Sequence, residues 1–197
     1  FSGGPVGLGS LAAALSEDMP PPATGPVIDW AGRYVEPETG LATRITALPD
    51  GRVTLLFRGI PETLAPAKDG HVGGAVRLWR NASGVAMQRG MDNLSSRLVP
   101  VSGEAPRNVE GVYHCAELGA ALTLVAPGGA MYAACSGELG EGAMVPLISY
   151  SADTWLMPCP RSLDYSAPGD WTLTFSPDRT RLRVGCWLAR GVEYVRV

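Results

Sequence analysis

Two histidines, His71 and His114, one lysine, Lys68, and four cysteines, Cys115, Cys135, Cys159 and Cys186, are the side chains best suited to proton transfer, nucleophilic attack or metal binding. Their spacing assembles none of these. No HExxH, CxxC, Gly-x-Ser-x-Gly or phosphate-loop pattern occurs. A Ser-x-x-Lys nucleophile would need serine three residues before Lys68, and Ala65 stands there. Without that box, His71-Val72-Gly73, Tyr150-Ser151-Ala152 and Tyr165-Ser166-Ala167 read as coincidences of short motifs. Each histidine, one per half of the chain, reads as structural. The cysteines match no zinc or disulfide framework and are expected as buried free thiols. No metal and no cofactor is expected.

Other polar residues fall in turn-like sequence. Glu36, Glu38 and Asp50 read as solvated turn carboxylates. The sequons Asn81-Ala82-Ser83 and Asn93-Leu94-Ser95 lie where Asn and Ser are common for conformational reasons, and are read as unmodified.

Composition narrows the partners. A formal charge of -3 argues against nucleic acid, which requires a basic face. A hydrophobic fraction of 46% is enough for a packed core, whereas only 18% charged residues leaves neutral surface suited to packing against another body. No apolar run reaches the eighteen or so residues of a membrane-spanning helix, so no membrane partner is expected. The opening "FSGGPVGLGSLAAALSEDMPPP" lacks a basic leader segment and an initiating Met; the chain is expected to begin at a cut. Cytoplasm is the expected compartment, with the periplasm as the alternative; homodimerisation is left open.

The elements around these residues are predominantly strands. Leu8 to Glu17 predicts a short helix, and Pro20 to Pro26 an extended linker. Thereafter short apolar stretches alternate with turn signals roughly every 8–12 residues, the pattern of all-β barrels and sandwiches. Hairpin turns are predicted at Pro49-Asp50-Gly51, Asn81 to Gly84, Pro127 to Gly129 and Pro177 to Thr180. Around the last, Trp171, Leu173 and Phe175 alternate with Thr172 and Thr174, while Leu182, Val184 and Cys186 alternate with Arg181, Arg183 and Gly185. Period two with one apolar face is the half-buried antiparallel strand.

The chain also repeats itself. Gly32-x-Tyr34 followed by Gly40 recurs 79 residues on as Gly111-x-Tyr113 followed by Gly119. The ends "RLWRNASGVAMQRGMDNLSSRLVPV" and "LTFSPDRTRLRVGCWLARGVEYVRV" align at an offset of 96, leaving 17 extra residues inside the second unit. Each unit has room for roughly eight short strands, which close on themselves without edges. The expected fold is all-β: two consecutive antiparallel eight-stranded, lipocalin-like barrels after a short helix or linker. The expected divisions are residues 1–26, a first barrel over 27–104 and a second over 105–197, with an inserted loop near 149–170. That insertion carries Tyr150, Trp155, Leu156, Met157 and Tyr165 and is stiffened by Pro158, Pro160 and Pro168, the composition of an ordered loop that docks on a partner.

"GRYVEPETGLATRI", "GRVTLLF" and "PETLAP" resemble the start of the first barrel in D-stereospecific serine aminopeptidases, bacterial hydrolases of the penicillin-recognising, β-lactamase-related family. The resemblance extends over Trp30 to Val197. It implies two eight-stranded barrels following a β-lactamase-like catalytic domain of the same protein. It implies further that the catalytic serine, lysine, tyrosine and histidine belong to that domain, so that no residue of this chain is catalytic. The second barrel of such enzymes sends a loop into the catalytic cleft, which by position corresponds to Asp153 to Leu163. Asp153, Trp155, Leu156, Met157 and Arg161 are therefore the candidate cleft residues. Expected on this basis is the non-catalytic C-terminal region of a serine hydrolase, packing on the catalytic domain and shaping its specificity. The rivals are a free-standing lipocalin-like small-ligand binder and a plain interaction module.

Overall fold

A computed structural model describes residues 28–57, 61–82, 84–138, 140–159, 169–186 and 189–197. The expected helix at Leu8 to Glu17 and the linker after it lie outside the described residues. From Gly32 onward the described chain is all-β, arranged as two consecutive barrel-like units.

The first unit runs through β1 (Gly32–Glu36), β2 (Leu41–Ala47), β3 (Val53–Leu56), β4 (Pro61–Ala67), β5 (Gly70–Gly73), β6 (Val76–Asn81), β7 (Gly84–Arg89) and β8 (Leu94–Pro100). Each strand pairs antiparallel with the next, and β8 returns to β1 through Tyr34–Pro100 and Val35–Val99, closing the barrel. The predicted turns occur. Gly51, with φ of 81°, turns β2 into β3, and the peptide of Leu48 bonds to Arg52 across it. Alternation does the rest: Leu41, Thr43 and Ile45 of β2 point inward, whereas Arg44 and Thr46 point to water. Ile45, Leu55, Leu64, Leu78, Met87 and Leu98 pack the interior with side chains. Each such burial contributes roughly 1.5–3 kcal/mol.

Two polar devices hold this barrel. Arg89 is buried at the end of β7, where its guanidinium bonds to Asp92 at 2.6 Å and bidentately to Glu62, and lies 5.3 Å from the Phe57 ring. Glu36, expected as a solvated turn carboxylate, is instead fully buried, because the turn after β1 folds its own donors over the carboxylate. It accepts hydrogen bonds from the Glu38 and Thr39 amides at 3.1 and 2.7 Å, and from the hydroxyls of Thr39 and Ser96.

The second unit contains β9 (Gly111–Cys115), β10 (Ala120–Val125), β11 (Tyr132–Gly137), β12 (Gly140–Glu141), β13 (Val145–Pro146), β14 (Ile148–Ser151), β15 (Thr154–Met157), β16 (Trp171–Phe175), β17 (Arg181–Gly185) and β18 (Val192–Arg196). Pairing leaves this sheet open between β12 and β14. The gap is bridged by chain: β13 pairs with β11, the Leu147 amide bonds to Met131 at 2.8 Å, and β14 pairs with β15. Residues 145–151 thus act as one bent stave serving both edges. Counted that way, eight staves surround the core of Tyr113, Leu122, Leu124, Met157, Leu173 and Leu182.

The two Gly-x-Tyr segments adopt the same local arrangement. The Tyr34 hydroxyl donates to the Trp30 carbonyl and the Tyr113 hydroxyl to the Val109 carbonyl, each four residues back. Gly40 and Gly119 then turn the chain with φ of 70° and 56°.

Candidate functional site: the junction between the barrels

The titratable residues of the sequence do not converge. His71, on β5, is buried with Nε2 2.8 Å from the Gly51 carbonyl and its ring edge-on to Trp30. A carbonyl only accepts, so Nε2 carries the proton, and Nδ1 is left buried without a partner among the described residues. His114 lies exposed on the outer face of β9 in the other unit. All four cysteines are free thiols, and burial pushes the Cys135 thiol up. Among the described residues, no group of three or more His, Cys, Asp or Glu is arranged to hold a metal.

The chemistry that is concentrated lies where the barrels meet. Tyr150, on β14, is buried, and its hydroxyl reaches the first barrel at the Tyr34–Thr43 rung. It stands 2.8 Å from each carbonyl of that rung and accepts from the Tyr34 amide at 3.2 Å. Arg33 donates to the Tyr150 carbonyl at 2.5 Å and to that of Gly103 at 3.4 Å, with its guanidinium 5.9 Å from the Tyr150 ring. Burial raises the Tyr150 phenol above its ordinary value, against the opposing pull of the Tyr34 and Thr43 backbone and of Arg44 and Arg33.

Farther along the seam, Thr172 donates to the Gly40 carbonyl at 3.0 Å. Gly185 lies directly under this turn: a Cβ there would come 2.8 Å from Thr172 Oγ1 and 3.2 Å from the Thr39 carbonyl. Thr172 is therefore buried although it points out of its own barrel. The segment between the units completes the seam, with Ala152 bonded to the Ser102 carbonyl at 2.9 Å and Ala105 to Ser149 Oγ at 2.8 Å. Ala105 and Val109 are buried in the second core.

The proposed cleft residues separate here. Asp153 lies in the turn between β14 and β15. Trp155, Leu156 and Met157 belong to strand β15, and this corrects their placement in a loop. Trp155 and Met157 point into the second barrel, where Trp155 Nε1 donates to the Pro106 carbonyl at 2.9 Å. Leu156 faces outward and lines a cavity of about 130 Å³ against Ala42, Arg44 and Leu56 of the first barrel. Arg161 lies outside the described residues. So the structure gives three environments for four of the candidates and brings no two side chains from the strand to one surface with Asp153.

Asp153 does border a second space that sequence reasoning missed, a groove of about 310 Å³ on the other flank of the junction. Its floor includes Thr154, Thr174 and Arg183, and its far wall is Val35, Pro37, Val99 and Val101 of the first barrel. The outward face of the "WTLTF" and "RLRVG" alternation signalled a polar surface. What it could not signal was the apolar wall facing it.

A family model described as D-aminopeptidase, domain B, covers residues 23–195. The chain belongs to the D-aminopeptidase domain B family. It is 40% identical over 173 residues to a D-aminopeptidase of Brucella anthropi, covering 85% of this chain and 33% of that protein. To a D-aminopeptidase of Cereibacter sphaeroides strain KD131 it is 40% identical over 194 residues, 95% of this chain and 37% of that protein. A Brucella ovis D-aminopeptidase is 38% identical over 173 residues, with shares of 85% and 33%. This domain B chain thus spans about a third of the length of the curated relatives it matches.

Proposed function

We propose that the chain is the non-catalytic region of a D-aminopeptidase-like serine hydrolase. It packs against a β-lactamase-like catalytic domain of the same protein, and the segment joining β15 to β16 shapes substrate choice at that domain's cleft. The observation that carries this reading is the junction. Hydrogen bonds from Tyr150, Arg33 and Thr172 lock two barrels into one unit, and among the described residues no Ser, Thr or Cys is hydrogen-bonded to a histidine or lysine. An adjacent base of this kind is the usual way a hydroxyl or thiol is activated for attack on an amide. The relatives, more than twice as long, bear the activity in their names, which leaves most of their length for the acyl-transfer machinery.

The reading is tested in two arms. The isolated chain, given D-alanyl p-nitroanilide, releases no p-nitroaniline above background; robust turnover overturns the non-catalytic claim. In the longer protein, residues 160–168 are replaced by a short Gly-Ser linker, leaving β15 whole. A change in relative rates on D-alanyl and bulkier D-aminoacyl anilides is expected, and unchanged rates on both remove the specificity role.

A further inference from the structure

We propose that the groove between the barrels is a binding site for a short zwitterionic peptide of two or three residues, its carboxylate held by Arg183 and its ammonium by Asp153. This goes beyond the accessory role, requires no catalytic domain, and stands or falls separately.

The floor of the groove is one row of outward-facing residues on three neighbouring strands. Thr154 pairs with Thr174, and Thr174 with Arg183. The hydroxyls form a directed chain. Thr154 Oγ1 donates to Asp153 Oδ1 at 2.9 Å, so it must accept from Thr174 Oγ1 at 3.2 Å. Ser151 Oγ also donates to Asp153 Oδ1, at 2.7 Å. Two donors occupy that oxygen, fixing the carboxylate, while Oδ2 accepts from no described residue. Arg183 lies at the other end. Its nearest acid on the neighbouring strand is Glu193, and Glu193 is taken by Arg181 at 2.7 Å. Among the described residues Arg183 makes no hydrogen bond or ion pair. Its guanidinium lies against Gly191, where a Cβ would come 2.7 Å from Nη2 and push it aside.

The ends of this row therefore present one free carboxylate oxygen and one free guanidinium. Between them is a floor of threonine hydroxyls, and opposite is the valine and proline wall. Two strand spacings separate the backbones of β15 and β17, about 10 Å, and the Arg183 guanidinium reaches on to Gly191, just before β18. An extended residue covers about 3.5 Å, so a single amino acid cannot reach both ends and a di- or tripeptide can. A guanidinium matches a carboxylate in a planar, two-bond geometry, and the apolar wall suits small aliphatic side chains. The groove's 310 Å³ falls at the lower end of the range for small-molecule sites.

The test uses the 197-residue chain labelled with ¹⁵N and titrated with alanyl-alanine in its L,L and D,D forms, with N-acetyl-alanyl-alanine and alanyl-alanine amide as blocked controls. Saturable shifts of the Thr154, Thr174 and Arg183 amides are expected with at least one free dipeptide. Each block weakens binding tenfold or more. Arg183→Gln and Asp153→Asn, both exposed positions, weaken the free dipeptide similarly, and acetylation costs nothing further in the Asp153→Asn variant. Should a variant lose its native spectrum, the blocked peptides on the unsubstituted chain decide alone. No saturable shift up to millimolar dipeptide, equal binding of free and blocked peptides, or shifts mapping elsewhere overturns the proposal.

Discussion

The Tyr150 hydroxyl lies 2.8 Å from the Tyr34 carbonyl, so a side chain of the second barrel is bonded to the main chain of the first across 116 residues of sequence. That bond is made inside a buried seam, where an unsatisfied polar group would be costly. The orientation of the barrels is therefore coupled to the folding of both.

Removing this hydroxyl gives the first prediction. Tyr150→Phe keeps the ring beneath Arg33 and deletes only the contacts to Tyr34 and Thr43. A loss of about 1 kcal/mol is expected in urea unfolding, as for a single neutral hydrogen bond. Faster hydrogen exchange should appear at the Tyr34 and Thr43 amides and leave the far side of the first barrel, at Leu78 and Met87, unchanged. Exchange that rises uniformly over the barrel would show that Tyr150 does not act at the seam.

A second prediction concerns Arg89. Its side chain is 3% exposed and faces two acids, Glu62 and Asp92, at the barrel end. Arg89→Met takes the buried guanidinium away from both acids and should destabilise by about 3 kcal/mol, the cost of breaking a buried pair from one side. Adding Glu62→Gln and Asp92→Asn to Arg89→Met should recover part of the loss, because the charges left behind are its main source. Urea midpoints of the single and triple variants check this.

The limits of the sequence come from the difference between local and non-local requirements. The turns at Pro49-Asp50-Gly51 and Asn81 to Gly84 were legible because a glycine with positive φ is a requirement of a few residues; Gly51 and Gly84 have φ of 81° and 123°. Strand β15 was not legible. Thr154, Trp155, Leu156 and Met157 are all buried, one face against the second core and the other against the first barrel or its flank. Alternation disappears when both faces of a strand are covered, and only an aromatic run between prolines remains to be read as a loop. Thr172 misled in the same way, since its polarity marked an outward face that the neighbouring barrel then buried. Glu36 was concealed differently: its donors are mostly local, Glu38 and Thr39, but Ser96 arrives from β8. Arg183 and Asp153 could each be read as exposed, yet their relation depends on strand pairing and on a wall from the other barrel.

Glu36 leads to the third prediction. Burial pushes its carboxyl up, but the Ser96 and Thr39 hydroxyls and the Glu38 and Thr39 amides outweigh that and hold it below its ordinary value. A depressed carboxyl stabilises the fold fully above its unfolded value, about 4.3, and that contribution is lost as pH falls through the folded value. Glu36→Gln places an amide NH₂ where only acceptors fit, and about 2 kcal/mol should be lost at neutral pH. The variant should also show a shallower decline in urea midpoint between about pH 5 and pH 3, because one acid-linked group has been removed. Parallel declines would mean that another carboxylate governs the acid limb.

The alkaline limb should report on Tyr194. Burial inside the second barrel, reinforced by the neighbouring Cys135 and Cys115, pushes its phenol up to about 12. An unfolded tyrosine ionises near pH 10. Below that value both states keep the proton and the stabilisation is intact. Between about pH 10 and 12 the unfolded chain gives up its proton first, so stability falls as pH rises through this window. Tyr194→Phe should flatten that fall while leaving Cys135 and Cys115 in place. The measurement is the urea midpoint from pH 8 to 11, read beside tyrosinate absorbance at 295 nm. A fall of equal steepness in the variant would assign the alkaline sensitivity elsewhere, with Tyr150 and Tyr113, also raised by burial, the next phenols to replace.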